Sequence, residues 1–232
     1  TLFIGDVRSL PLLTAFHTWV QFGQADAGLE RTQLQQQVER SRFEDPELAI
    51  DPAFFHALRD RFPQIQQVQM RLSHGRSQNE MTQFRYNVLL HIEPLNAPES
   101  RKFRGANSVS QHDWKRHPVT VEAIQKQLCE TKLEKLMITN VANSRVYAAV
   151  KTATWLCNKD TPKTVGRMRD VLQNSAEMGI DPQDWWDLAT VLPYNVEITW
   201  STQTHTGDYD VLLLRHGLDV IVALPLSQAL SY

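Results

Sequence analysis

Ile50-Asp51-Pro52 recurs 130 residues later as Ile180-Asp181-Pro182, and Leu58 and Pro63 find partners in Leu188 and Pro193 at the same offset. After each proline comes an alternating run, Val68-Gln69-Met70-Arg71-Leu72 or Val196-Glu197-Ile198-Thr199-Trp200. A second run follows, Tyr86-Asn87-Val88-Leu89-Leu90 or Tyr209-Asp210-Val211-Leu212-Leu213. The offset falls from 128 to 123 between these runs, so the intervening loop is five residues shorter in the second copy. Upstream, Leu2-Phe3-Ile4-Gly5-Asp6-Val7 aligns with Leu136-Met137-Ile138-Thr139-Asn140-Val141. The chain therefore reads as two copies of one strand, helices, helix, strand, strand unit. Whether the copies share a sheet is left open.

Local patterns support that reading. Leu2 to Gly5 is a short apolar run of the kind found in a buried parallel strand. Ser9 is placed to cap a helix with Pro11 in its first turn, and Leu12, Leu13, Phe16, Trp19 and Val20 form its apolar stripe. Leu34 and Val38 mark a second, mostly exposed helix from about Leu29 to Ser41. Asp51-Pro52 starts a third, with Phe54, Phe55, Leu58 and Phe62 on its buried face. The alternation of Val68, Met70 and Leu72 and of Phe84, Tyr86, Val88, Leu90 and Ile92 predicts an antiparallel pair joined by a long loop, Ser73 to Gln83. In the second copy a helix over Thr120 to Glu130 precedes the strand. Three more helices follow it, over 144–156, 164–178 and 181–192, then strands over 196–202 and 209–215.

Composition excludes several classes. With 232 residues, 42% apolar and 22% charged, the chain can bury a core of ordinary size. A formal charge of −2 argues against an electrostatic grip on nucleic acid or an anionic membrane. No apolar run approaches the roughly 20 residues of a membrane span, and no basic-then-apolar leader is visible. Cys129 and Cys157 alone suit a reducing, cytoplasmic setting. The eight histidines lack metal-ligand spacing, so no metal is expected.

The wording of several stretches carries a resemblance. Phe3-Ile4-Gly5-Asp6-Val7-Arg8-Ser9-Leu10-Pro11-Leu12-Leu13 with Ala15-Phe16-His17, then Ile50-Asp51-Pro52-Ala53-Phe54-Phe55, resemble the methyltransferase domains embedded in nonribosomal peptide and polyketide synthetases. So does Asn79-Glu80-Met81-Thr82-Gln83-Phe84-Arg85-Tyr86-Asn87-Val88, although that family usually ends the string in Asp where this chain has Asn87. The resemblance is dense over residues 1 to about 95 and looser through Asp210 and Val211.

It implies a fold class: α/β, the C-terminal half of a class I (Rossmann-like) methyltransferase sheet, followed by a second similar strand-helix-helix-hairpin lobe. The domain limits are 1–95 for that half, 96–118 for a linker, 119–217 for the second lobe and 218–232 for a tail. It also implies methyl transfer from S-adenosylmethionine, commonly to the amine of an aminoacyl thioester on a carrier protein. The donor-binding half needs a glycine-rich turn where the backbone approaches the cofactor, and an acidic residue for the ribose. No Gly-x-Gly occurs in this chain. S-adenosylmethionine is therefore expected only in the complete domain and no cofactor for this chain alone, which reads as a piece of something longer. The expected partners are the missing N-terminal methyltransferase half or neighbouring synthetase domains and a carrier protein, with no nucleic acid and no membrane; a homodimer is left open. A catalytically silent remnant serving as scaffold is the alternative.

Ligands of open α/β sheets sit beyond the carboxyl ends of the parallel strands. Asp6 and Arg8 end such a strand, and Asn79, Glu80, Arg85 and Tyr86 belong to the loop and strand on the same rim; these are the candidate substrate-binding residues, with Glu80 and His17 as candidate proton acceptors. Each has a plainer reading. Glu80 could cap the turn or pair with Arg85, Asp6 could bracket Arg8, and His17 could be a helix-surface residue. His74 is ambiguous. Trp185 aligns with Phe55 and is expected in the core. Lys102, Arg104, Lys115, Arg116 and His117 make the linker basic, either as a solvated connector or as a contact for an acidic carrier.

Overall fold

The computed structural model describes residues 1–93, 109–158, 161–175, 179–201 and 204–217. It is an α/β structure with two separate mixed sheets of four strands each. The first lobe runs β1 (Leu2–Ser9), α1 (Leu13–Gln24), α2 (Arg31–Glu44), β2 (Ala49–Ile50), α3 (Pro52–Arg61), β3 (Ile65–Leu72), α4 (Glu80–Gln83) and β4 (Arg85–Ile92). The second runs β5 (Ser110–Asp113), α5 (Val121–Thr131), β6 (Lys135–Val141), α6 (Tyr147–Cys157), α7 (Val165–Gln173), α8 (Pro182–Val191), β7 (Tyr194–Trp200) and β8 (Tyr209–Arg215). Sheet orders are β2-β1-β4-β3 and β5-β6-β8-β7, each with one parallel pair followed by antiparallel pairs. No helix among the described residues is long and apolar enough to cross a membrane.

The lobes meet as two copies of one surface would. Up to α7 they correspond at an offset of 134, which pairs α1 with α6 and α2 with α7. At the junction Arg31 N donates to Lys163 O at 2.8 Å and Val165 N donates to Leu29 O at 3.0 Å. These are the same bond with the copies exchanged, and Glu30 and Thr164 form the antiparallel bridge between them. Helices α1 and α6 pack on each other, and edge strands β3 and β7 come together. A single apolar cluster spans both lobes, including Leu12 and its counterpart Val146. Gly207, at φ 71°, lies against that pair: a Cβ there would sit 2.5 Å from Val146 Cγ2.

Several local expectations change. Ser9 does not cap α1; it closes β1, and the helix begins at Leu13 without a side-chain cap. Leu2 and Phe3 are exposed rather than buried. Ser110–Asp113, within the stretch read as a connector, pairs in parallel with β6, an edge strand whose polar residues carry no alternation to reveal it. Trp185 is fully buried, as expected. Lys115 binds Asp208 at 2.5 Å. Lys102, Arg104 and the tail from residue 218 lie outside the described residues.

The repeated string is a repeated set of locks. Asp51 and Asp181 each cap a helix, accepting from Ala53 N and Gln183 N at 2.8 Å, with proline in the first turn. The Tyr86 hydroxyl donates to Ile50 O and that of Tyr209 to Ile180 O, both at 2.9 Å, which ties each closing strand to the helix start. Strands β1 and β6 each bulge at a residue with φ 57°, Asp6 or Asn140. Asp and Asn tolerate that region better than other side chains. Each bulge amide is held from the closing strand: Asp6 N by Asn87 Oδ1 at 3.0 Å, Asn140 N by Asp210 Oδ1 at 2.8 Å.

Lobe two therefore uses a carboxylate where lobe one uses an amide. Burial, with Asp208 and Asp113 nearby, raises the Asp210 carboxyl to about 6, against the pull of the Asn140 amide. A raised acid favours folding while protonated, and that contribution is lost as pH rises through about 6. Asp210→Asn keeps the acceptor and removes the charge. It should raise stability by about 1–3 kcal/mol at pH 7.5 and give little gain at pH 4.5, as read by urea unfolding at the two pH values.

Candidate functional site

Strand β1 ends by placing Arg8 beneath the rim of the first sheet. Its guanidinium, only 7% exposed, meets Asp45 Oδ2 at 2.6 Å, Glu47 Oε2 at 2.6 Å and Glu80 Oε1 at 2.7 Å. It also lies 4.6 Å from the Phe16 ring centre. Arg85 completes the network, reaching Glu47 Oε1 at 2.7 Å, Glu80 Oε1 through Nε at 2.8 Å, and the Asp6 carbonyl at 2.9 Å. Two guanidiniums face three carboxylates within this network, while the Arg42 guanidinium acts on His17 from beside it.

His17 extends it from α1. Nδ1 lies 2.9 Å from Ser41 Oγ on α2 and Nε2 lies 3.0 Å from Asp45 Oδ2. Burial lowers its pKa, outweighing the opposing pull of Asp45, so the imidazole is neutral at pH 7. Burial alone would raise the Asp45 and Glu80 carboxyls. For Asp45 the Glu47 amide, Arg8 and His17 reverse that, and for Glu80 Arg8 and Arg85 do, leaving both below the usual range. A cavity of about 540 Å³ opens beside this group, lined by Arg8, Phe16, His17, Gln37, Ser41 and Asp45 among others.

Of the residues singled out in the sequence, Arg8, His17, Glu80 and Arg85 converge here. His17 is buried rather than on the helix surface, because α2 and its exit loop cover it. Asp6 does not bracket Arg8; its amide and carbonyl serve the bulge and Arg85 instead. Asn79 caps α4, accepting from Thr82 N at 3.2 Å. Tyr86 is fully buried with its hydroxyl spent on Ile50 O, so it does not reach the rim. The Ser73 to Gln83 loop divides its work. Its first half straps the lobes together, with His74 stacked 3.7 Å from Trp186 and Arg145 of lobe two donating to Ser73 O and Gly75 O at 2.7 and 2.6 Å.

Asp45, Glu47 and Ser41 escape a reading of the sequence, yet a signal for two of them exists. The offset between copies falls from 134 at the start of α2 to 130 at Ile50, so lobe one carries four more residues between these points; helix α2 (Arg31–Glu44) outruns α7 (Val165–Gln173), and Asp45 and Glu47 follow its longer end. The equivalent cavity of lobe two, about 420 Å³, has Lys151 where lobe one has His17 and Ser175 where it has Ser41. Ala142 stands in place of Arg8 there.

The rim of β1 does not fit an adenosyl cofactor. The bulge amide is taken by Asn87, the carboxylates are bound to guanidiniums, and no glycine-lined turn enters a helix there.

Because Arg8 neutralises buried acids, its loss leaves them uncompensated. Arg8→Met should destabilise by about 3–5 kcal/mol at pH 7. Asp45 and Glu80, with lowered pKa values, stabilise the native state above about pH 4 and stop doing so as pH falls through their native values. The gap between variant and parent should therefore narrow toward pH 3 in chemical unfolding.

No family model matches the chain. It is 31% identical over 218 residues to chondramide synthase from Chondromyces crocatus, covering 92% of this chain and 5% of that protein. It is 26% identical over 231 residues to a nonribosomal peptide synthetase of Aspergillus flavus, covering 94% and 3%. Against the cyclosporin synthetase of Tolypocladium inflatum it is 26% identical over 221 residues, covering 90% and 1%. The chain thus spans a twentieth or less of these relatives, and over nearly its whole length it matches one segment of nonribosomal peptide synthetases.

Proposed function

We propose that this chain is the trailing part of an S-adenosylmethionine-dependent methyltransferase domain in a nonribosomal peptide synthetase, serving the amine of a carrier-bound aminoacyl group. The observation that carries this reading is the negatively charged network beyond the end of β1 with a neutral histidine at its side. An amine delivered as ammonium must lose a proton before it can attack a methyl sulfonium. The surplus negative charge holds the ammonium. Glu80, kept ionised by two arginines, orients it and is too weak a base to take its proton. His17 is the neutral base of the group; with Nε2–H on Asp45, its Nδ1 accepts from the Ser41 hydroxyl, and the proton reaches the ring through that hydroxyl. The methyl donor is held by residues outside this chain.

A second reading, a silent scaffold in the assembly line, is favoured by one feature: Arg8 and Arg85 both bond Glu80 Oε1 without a ligand. In the complete synthetase domain, Glu80→Gln should lower kcat/KM by roughly 10- to 100-fold, the loss of one charge-assisted contact. Unchanged turnover would remove Glu80 from the reaction, and absence of any methyl transfer by the complete parent domain would support the scaffold. Calorimetric titration of this chain alone with S-adenosylmethionine should show no saturable heat; clean saturation contradicts the assignment of the donor site elsewhere.

A further inference from the structure

Helix α4 carries Glu80 to the rim, yet it is a single turn of 4 residues, too short to hold a direction of its own. What fixes it comes from the other lobe. Arg145, just before α6, has a side chain 2% exposed and spends its donors on one carboxylate and on carbonyls of lobe one. Nε reaches Asp181 Oδ1 at 2.9 Å, Nη1 reaches Ser73 O at 2.7 Å and Thr82 O at 3.5 Å, and Nη2 reaches Gly75 O at 2.6 Å. Ser73 and Thr82 lie toward opposite ends of the segment that bears Glu80, so one guanidinium clasps it. Inside the segment Thr82 Oγ1 donates to Ser77 O and Thr82 N donates to Asn79 Oδ1 at 3.2 Å, which passes the constraint to α4. Helix α8 adds an outer hold: Gln183 Oε1 accepts from Gly75 N at 2.8 Å, and Arg76 pairs with Asp184 at 2.9 Å.

We infer that Arg145 of lobe two is a positioning residue for the site of lobe one: by clasping the loop it sets where Glu80 meets Arg8 and Arg85. A guanidinium withdrawn from water has to fill its donors. Asp181 supplies the opposite charge, and the backbone of lobe one takes the remaining donors. Asp181 also caps α8, so the clasp is referenced to a helix start rather than to another loop. Lysine keeps the ion pair but not the fork, because a point ammonium does not span carbonyls at both ends of the segment. The device runs one way. Pro11 stands in the place of Arg145 in lobe one, and its side chain offers no donor to the shorter loop of lobe two. The second lobe is thus the fixed body against which the Glu80 turn is held. The placement of Glu80 stands on this geometry, and its catalytic consequence rests on the methyl-transfer reading.

The test starts with Arg145→Lys in this chain and a carbon NMR titration of its side-chain carboxyls. Burial alone would raise Glu80, but Arg8 and Arg85 hold it below the usual range; freed from the clasp, it should titrate closer to an ordinary glutamate. Asp45, whose partners Arg8, His17 and the Glu47 amide lie off the loop, should titrate as in the parent. In the complete synthetase domain the same substitution should lower kcat/KM by roughly 10- to 100-fold, the effect of a misplaced orienting group. Glu80→Gln added to it should cost less than about threefold more, because both changes remove one arrangement. Glu80 titrating as in the parent overturns the inference, as does an equal rise of Asp45, the mark of general loosening, or full additivity of the two substitutions. Should Arg145→Lys not fold, Gln183→Ala with Arg76→Gln loosens the same loop from outside and is read the same way, with a smaller rise of Glu80 expected and none overturning the inference. A risen Glu80 in a protein whose complete parent domain transfers no methyl group would keep the clasp and remove the methyl-transfer reading.

Discussion

The junction between α2 and α7 is the constraint on which the molecule depends. A four-stranded sheet with helices on it leaves apolar surface that one small lobe cannot cover, and here each copy covers the other. The reciprocal bonds of Arg31 to Lys163 and Val165 to Leu29 show how far the match goes, since exchanging the copies returns the same interaction. Such an isologous contact is what a symmetric dimer uses. Carried within one chain, it fixes both lobes without a concentration term. The shared apolar cluster, with Leu12 and Val146 meeting under Gly207, is the packing result.

Symmetry of the scaffold makes the asymmetry of the sites informative. A cavity lies beside α1 and α2 in lobe one and beside α6 and α7 in lobe two, yet only lobe one has the arginine and the longer second helix whose exit brings Asp45 and Glu47 to it. A guanidinium so little exposed is tolerable only when paired and hydrogen-bonded. Arg8 is both, and the acids that satisfy it outnumber the arginines. The residual charge and the buried, neutral His17 therefore follow from the longer α2 and its exit loop acting on an otherwise duplicated frame. In lobe two Arg145 shows the other use of a buried arginine. It reaches Asp181 and two loop carbonyls and joins the lobes.

Reading the sequence located the locks well because they are local. Asp51 and Asp181 cap the helices that their proline partners announce, and Tyr86 and Tyr209 sit in register on strands whose alternation is plain. Trp185 reads as core from its alignment with Phe55. The candidate site was half legible. Arg8, Glu80 and Arg85 lie on elements whose order alone brings them to one rim. Asp45 and Glu47 escaped notice because nothing in a polar helix exit says where the loop folds back, and Asn79 and Tyr86 are spent on backbone groups, one three residues away and one on the strand before α3. Strand β5 was invisible for a related reason: an edge strand buries little, so its residues need not alternate.

By itself, then, the sequence determined the duplicated unit, the order of its elements, the capped helix starts and the tyrosine-bearing closing strands, because each rests on neighbours within a few residues or on a period. Only tertiary structure decided that the copies keep separate sheets, that His17 is buried between Ser41 and Asp45, and that Arg145 ties the loop of lobe one to lobe two. Those outcomes depend on which distant surfaces exclude water from each other, and burial of that kind leaves no mark in local spacing.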